Sequence, residues 1–388
     1  MNFKTAGESH GKALMGIVCD YPSGVPINKD LIDHNLARRQ TGYGRGGRMA
    51  IESDKVEIIS GVRKGISTGS PISFMIRNRD WDNWKDIMDP YPGKGISHHE
   101  KLLLDPRPGH ADLTGLLKYR LTTIRDVIER SSARETAARV CTGSIALCAL
   151  KEIGISIISY VDSIGGVCMQ EIPDTEDRGI IERIEGSEVR CPDKTKTKDM
   201  MAVIDDAKKA GDSVGGSFRI IVKGLIPGLG SYTEWDKRLD ARLAYALMSI
   251  PAVKSVEIGS GRASGSISGL DFHDDIFYDR KKGFYRKTNN AGGIEGGMSN
   301  GEDIVIGAVM KPVPTTAKGK TTVNIPTKKE SMSLKERSDV CAVPSAAVVG
   351  EAVTCIELLD AVQEKFGSDS IIDIKENLAN YLNYVKSI

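Results

Sequence analysis

Four short segments hold most of the side chains able to move protons or grip anions. Gly7-Glu8-Ser9-His10-Gly11 sets a hydroxyl beside an imidazole between two glycines. Arg38-Arg39-Gln40-Thr41-Gly42-Tyr43-Gly44-Arg45-Gly46-Gly47-Arg48 carries four arginines on a glycine frame. Asp105-Pro106-Arg107-Pro108-Gly109-His110-Ala111-Asp112 stiffens its approach with two prolines and then offers a histidine. Arg337-Ser338-Asp339 puts a carboxylate just after a cation. Guanidinium forks bind carboxylate and phosphate in bidentate fashion, and glycines let backbone N–H groups come close to a ligand. Imidazole exchanges protons near neutral pH. His110 falls just before a predicted helix start, where N–H groups point outward at anions. Ordinary roles suit the same residues: arginine runs form solvated loops, and an Asp after an Arg can cap a helix.

The remaining histidines, His34, His98, His99 and His273, have no comparable neighbours, and none has metal-ligand spacing. The seven cysteines, Cys19, Cys141, Cys148, Cys168, Cys191, Cys341 and Cys355, contain no CxxC pair. Zinc sites, redox motifs and disulfides therefore find no support. Cys141 and Cys148 lie in an apolar helical pattern and read as small core residues. Residues 42–47 match the dinucleotide-binding glycine pattern but lack the preceding strand which that mechanism requires. Residues 65–69 and 211–215 match the nucleophile-elbow pattern, yet each leads into a strand where that chemistry needs a helix.

These segments need elements to hold them. Leu117, Leu121, Ile124 and Ile128, then Ala137, Val140, Ile145, Ala149 and Ile153, predict two consecutive helices over 113–153. Ser131 and Ser132 are candidate N-caps, Glu135 completes a capping box with Ser132, and Gly154 closes the second helix. That second helix is almost all apolar or small, which predicts a central position. Further helices fit 30–39, 237–250 and 346–366; strands fit 55–60, 72–77, 156–164, 216–223, 256–258 and 304–310. Residues 65–77 and 211–221 share a Gly/Ser turn feeding a strand, a hint of duplication. Residues 283–301 and 318–332 read as long loops of the kind that bind or cover ligands. Strands and helices in blocks predict an α+β class and one intertwined domain over 1–388.

Composition narrows the function classes. With 53 basic and 52 acidic residues the net charge is +1, which removes the electrostatic drive of a nucleic-acid or acidic-membrane binder. Hydrophobic content of 40% with 27% charged residues excludes wholesale disorder. No apolar run reaches the ~20 residues of a membrane span, and the polar N-terminus has no signal-peptide stretch, so a cytoplasmic protein is expected.

Taken with three further runs, these motifs resemble those of the chorismate synthase family. The runs are Arg130-Ser131-Ser132-Ala133-Arg134-Glu135-Thr136, Gly292-Gly293-Ile294-Glu295-Gly296-Gly297 and Lys311-Pro312-Val313-Pro314-Thr315. With Gly7-Glu8-Ser9-His10-Gly11, residues 38–48 and 107–112, and Arg337-Ser338-Asp339, they fall in order across the chain. Two places depart from the family: Ser345, Ala346 and Ala347, where glycine is more usual, and Pro251 before Ala252, where other members carry a polar residue.

The resemblance implies a sandwich of central helices between antiparallel β-sheets, assembled as a homotetramer. It implies conversion of 5-enolpyruvylshikimate 3-phosphate to chorismate and phosphate, an anti-1,4-elimination needing reduced FMN (FMNH2) without net redox change. His110 would donate a proton beside the flavin, His10 would donate to the departing phosphate, and Asp339 would work with flavin N5 to remove the ring proton. Flavin contacts carry over to Arg130, Ser131, Ser132, Ala252, Gly296, Lys311, Pro312, Val313, Pro314, Thr315 and Arg337. Substrate contacts fall to Arg48, Arg107 and Arg134. Arg39 and Arg45 match positions assigned to NADPH, or hold substrate if reduced flavin comes from outside. Two other classes make distinct predictions. A redox flavoprotein would consume reductant in proportion to product, and a nucleic-acid module would bind through 38–48 with steep salt dependence.

Overall fold

Two helices, Thr136–Glu152 and Val343–Phe366, are apolar on nearly every side and can only lie inside the molecule. In the computed structural model of the chain, residues 140–150 are all buried. The structure describes residues 1–46, 54–91, 103–170, 173, 174, 177, 179–334 and 339–388. Arg48, His98, His99, Arg337 and Ser338 lie outside these.

The two central helices pack on each other, and Gly143 sets how closely. A Cβ at that position would lie 2.3 Å from the Ala352 carbonyl oxygen and 2.4 Å from the Ala352 Cα. A third helix, Lys29–Gln40, packs beside both. Asn28 caps its start by accepting from the Leu31 N–H, and Arg38 and Arg39 sit in its last turn, where cations favour the helix dipole. Arg38 is spent on structure: its guanidinium grips the buried Glu351 of the Val343–Phe366 helix at 2.8 and 2.9 Å.

One antiparallel sheet lies on each side of this layer. The first has the order Asn2–Ala6, Ala13–Cys19, Ile72–Arg77, Val56–Ile58, and its first two strands meet Thr136–Glu152. The second has the order Val253–Ile258, Ile304–Met310, Gly216–Lys223, Ser156–Ile164, Val167–Cys168, and packs on Val343–Phe366. This is the expected α+β sandwich. Its main core gathers Phe74 and Ile76 from one sheet, Ile145 and Leu150 from the helices, and Phe218 and Ile306 from the other sheet.

Some elements differ from expectation. The 113–153 pattern forms Asp112–Tyr119, Arg125–Ser131 and Thr136–Glu152, with a 3-10 turn over Ala133–Glu135. The first break falls at Arg120, whose φ of 54° ends the helix without a glycine or proline to announce it. Ser132 does cap, accepting from the Arg134 N–H, but Glu135 does not complete the box. Its carboxylate accepts instead from Thr5 Oγ1 and Arg139 Nε. The strand at 55–60 is confined to Val56–Ile58, and that at 256–258 extends back to Val253. The expected loops contain hairpins: Ile276–Asp279 with Gly283–Arg286, Ile294–Glu295 with Met298–Ser299, and Thr321–Val323 with Glu330–Met332. The two similar Gly/Ser turns feed strands in different sheets.

Candidate active site

The Gly7–Gly11 run is the turn between the first two strands. Asn78 ties it down, donating from Nδ2 to the Gly11 carbonyl at 2.6 Å and to that of Glu8 at 3.2 Å. The Ser9 N–H bonds the Glu129 carbonyl at 3.0 Å, so the turn sits on the Arg125–Ser131 helix. There the buried Glu129 carboxylate meets the His10 Nδ1 at 2.9 Å and accepts the His10 backbone N–H at 2.9 Å. Trp84 stacks on the imidazole with ring centroids 3.7 Å apart. Burial alone would raise the Glu129 pKa, but the bonds and charges of His10, with Arg125, hold it below the usual carboxylate range.

Two buried arginines lie beyond Asn78. Arg134 donates to Asn78 Oδ1 through Nε (3.0 Å) and Nη2 (2.9 Å), and its Nη1 bonds Asp54 Oδ2. Arg39 donates from Nε to Thr136 Oγ1 and from Nη2 to the Ala133 carbonyl, both at 2.9 Å. Its Nη1 has no hydrogen-bond partner among the described residues and lies 3.8 Å from Asp54 Oδ2. Burial and the neighbouring Arg134 charge push Arg39 down to about 10.

The glycine-framed loop after Arg39 is strapped outward by Tyr43, whose hydroxyl donates to Asp205 on the Lys194–Ala210 helix. The loop then meets the chain's far end. Arg45 Nη1 pairs with Asp339 Oδ2, the Gly46 N–H donates to Asp339 Oδ1 at 2.7 Å, and the Val340 N–H donates to the Gly44 carbonyl at 2.8 Å. Asp339 is therefore no cap of Val343–Phe366, which starts beyond it; Arg45 and Gly46, its partners named here, belong to the arginine loop.

His110 sits in a different turn. Arg107 folds back on Asp112, its Nε 2.9 Å from Oδ2 and its Nη2 3.1 Å from Oδ1, while Nη1 donates to Thr315 Oγ1 at 3.0 Å. The His110 Nδ1 bonds Asp112 Oδ1 at 2.5 Å. A carboxylate thus occupies the first turn of Asp112–Tyr119, where the sequence reading foresaw N–H groups open to an anion. Burial would raise the Asp112 pKa, yet hydrogen bonds from His110 and Arg107 hold it far below the carboxylate range. A small apolar cluster of Leu116, Ile124, Val127 and Ile128 joins the two short helices that carry Asp112 and Glu129.

The Lys311–Thr315 run connects this turn to the rest. Lys311 Nζ donates to the Gly109 carbonyl at 2.6 Å, and the Val313 carbonyl accepts from Ser213 Oγ at 2.7 Å. The next residue, Val214, donates its N–H to the carbonyl of Val340, beside Asp339. The Lys311 N–H donates to the carbonyl of Ala252, which holds a φ of 70°. On the other side Arg130 bonds the carbonyls of Gly7 and Thr5, and Ser132 Oγ lies 3.2 Å from Ser9 Oγ. Ser131 Oγ turns back to the Val127 carbonyl. A cleft of about 520 Å³ opens here, lined by Thr5, Arg130, Ser131, Ser132, Arg139 and Pro251 among others. The structure thus draws His10, Arg39, Arg45, Arg107, His110, Arg130, Ser132, Arg134, Ala252, Lys311, Thr315 and Asp339 into one chain of contacts. Gly296 is not joined to it by a hydrogen bond among the described residues; the Leu239 N–H anchors its hairpin through Gly297. Glu129, Trp84, Asn78 and Asp54 were not foreseen. Only Glu129 left a trace, directly before Arg130 and four residues after Arg125.

A family model described as chorismate synthase matches residues 1–363. The chain belongs to the chorismate synthase family. Chorismate synthase of Desulforamulus reducens is 48% identical over 388 residues, covering 100% of both chains. That of Alkaliphilus metalliredigens is 51% identical over 377 residues, covering 97% of this chain and 98% of its own. A crystal structure of chorismate synthase matches with a TM-score of 0.80 at 38% identity, covering 100% of this chain and 98% of that one. The activity is a carbon–oxygen lyase reaction of the shikimate pathway, loss of phosphate from 5-enolpyruvylshikimate 3-phosphate to give chorismate.

Proposed function

We propose that these turns form a single active site running from His10 to Asp339, using FMNH2 as cofactor. The observation that carries this reading is the polar path His10–Gly11–Asn78–Arg134–Asp54, which Arg39 faces at 3.8 Å, and the Arg45–Asp339 pair on the loop that follows Arg39. The residues fit a flavin mononucleotide. The cleft has the volume of a small-molecule site, with the Arg130 cation and the Ser131 and Ser132 hydroxyls on its wall. A Cβ at Gly296 would meet open space, so a planar ring could approach the backbone there. When bound, reduced FMN supplies the electron density that eases C–O cleavage.

The chain's own residues divide the remaining work. Two carboxylates and a phosphate on the substrate call for several cations, and Arg134, Arg107, Arg48, Arg39 and Arg45 are the candidates. Arg39 is buried with two nitrogens engaged, which favours a role toward substrate over a surface contact with NADPH. NADPH then serves as reductant through an external system. His10 donates a proton to the departing phosphate. His110, with Nδ1 held by Asp112, is the donor on the flavin side, and Asp339 removes the ring proton. Exposed Trp235, Tyr245 and Leu270 supply apolar surface that a homotetramer would cover. The seven free cysteines suit the reducing cytoplasm. No described helix is long and apolar enough to cross a membrane.

Anaerobic turnover of 5-enolpyruvylshikimate 3-phosphate with FMN and dithionite tests the reading. Chorismate should form in many-fold excess over flavin with no further consumption of reductant. Product formed only in proportion to reductant oxidised would identify a redox flavoprotein instead.

A further inference from the structure

We propose that Glu129 is the positioning residue for His10, binding the ring through Nδ1 so that the proton it delivers is carried on Nε2. This rests on the role given to His10 above.

The geometry is specific. Glu129 is 2% exposed, and its two oxygens lie 2.9 and 3.0 Å from the His10 Nδ1. One of them also accepts the His10 backbone N–H at 2.9 Å, so ring and backbone are fixed by the same carboxylate. Trp84 stacks on the imidazole, and Arg125 lies over the Trp84 ring at 5.3 Å. The ring therefore has neither rotation nor tilt to spare. Charged groups facing it among the described residues include Glu129 and Arg125, both from the Arg125–Ser131 helix, with Asp80 behind Trp84 on its indole N–H. A buried carboxylate on one ring nitrogen fixes the tautomer of the other. Proton balance follows directly. Nε2–H passes its proton to the phosphate oxygen as the C–O bond breaks, the neutral ring keeps Nδ1–H on Glu129, and solvent reprotonates Nε2.

The test is nitrogen NMR of the full-length protein carrying 15N-labelled histidine, with the His10 signals assigned by their loss in His10→Asn. In the unsubstituted protein, neutral His10 should be the Nδ1–H tautomer. Glu129→Gln should mix the two neutral tautomers, because an amide can meet Nδ1 through its oxygen or its NH2 group. In that variant kcat should fall by roughly tenfold or more with KM little changed, and Glu129→Asp should recover part of it. An Nε2–H tautomer in the unsubstituted protein, or an unchanged kcat in Glu129→Gln, overturns the proposal. Through-bond correlation from the His10 backbone gives the same assignment where His10→Asn fails to fold, so the tautomer is read on the unsubstituted protein. Near-normal turnover by His10→Asn would overturn the role of His10 itself, while the tautomer would still report whether Glu129 holds the ring.

Discussion

Arg45 Nη1 lies 2.8 Å from Asp339 Oδ2, which makes the glycine-framed arginine loop and a turn near the far end of the chain one structural unit. The Gly46 N–H and the Gly44 carbonyl reinforce the pairing from the backbone side. Arg45 and Asp339 are therefore held to one another across the two segments.

Gly143 should not tolerate a methyl group. A Cβ would meet Ala352 backbone atoms at 2.3 and 2.4 Å, and backbone in the middle of a central helix cannot turn aside. Overpacking typically costs about 1–3 kcal/mol, and a backbone contact belongs at or above the top of that range. Gly143→Ala should lower the thermal midpoint by several degrees or abolish soluble expression. An unchanged midpoint would mean that the two helices lie farther apart than described.

Asp112 should contribute to stability above the ordinary carboxylate pKa. Burial works against its ionisation, but His110 and Arg107 dominate and depress the folded value below the ~3.9 of an unfolded Asp. A depressed carboxylate stabilises the fold fully above its unfolded pKa, and that stability is lost as pH falls through the folded value. Asp112→Asn should therefore melt lower than the unsubstituted protein at pH 7, with the gap narrowing below about pH 4. Parallel melting curves across that window would deny the linkage.

The cysteines should be dispensable for catalysis. Burial raises the Cys141 and Cys355 thiols, and it pushes Cys341 up to about 11 despite the nearby Arg45. Cys168 is exposed and Cys19 half-buried. A thiol reagent on the folded protein should label Cys168 first and leave turnover intact. Rapid modification of Cys341 with loss of activity would contradict the burial.

How far the sequence could be read depended on the range of the interaction. The Ile72–Arg77, Ser156–Ile164, Gly216–Lys223 and Ile304–Met310 strands were legible because β-branched runs lie between turn residues. The Ala13–Cys19 strand was not. Its ALMGIVC sequence is apolar or small at every position, so the alternation of exposed and buried residues has no counterpart in residue type. The helix break at Arg120 escaped for a related reason: Leu121 and Ile124 continue the apolar spacing through a residue in the left-handed region. At the site, motif residues stood out by type, but Asn78 and Asp54 reach Arg134 from 56 and 80 residues away. No local pattern marks such partners.

Asp339→Asn separates chemistry from architecture. An elimination needs a group to take the ring proton, and Asp339 offers a carboxylate held from two sides by Arg45 and the Gly46 N–H. An asparagine keeps the shape and can keep one acceptor oxygen for the Gly46 N–H, but it loses the basicity and the ion pair. FMN and substrate binding should be largely retained, and turnover should fall by roughly 100-fold or more, the usual cost of removing a general base. A primary deuterium effect at the abstracted ring position should grow, because proton removal becomes more nearly rate-limiting. Loss of folding or of flavin binding would recast Asp339 as the clasp of the arginine loop, and normal turnover with an unchanged isotope effect would send the search for the base elsewhere. An Arg45→Gln variant sharpens the distinction: it removes the cation and leaves the carboxylate, so a clasp would lose folding or flavin binding in both variants, whereas a base would enlarge the isotope effect only in the first.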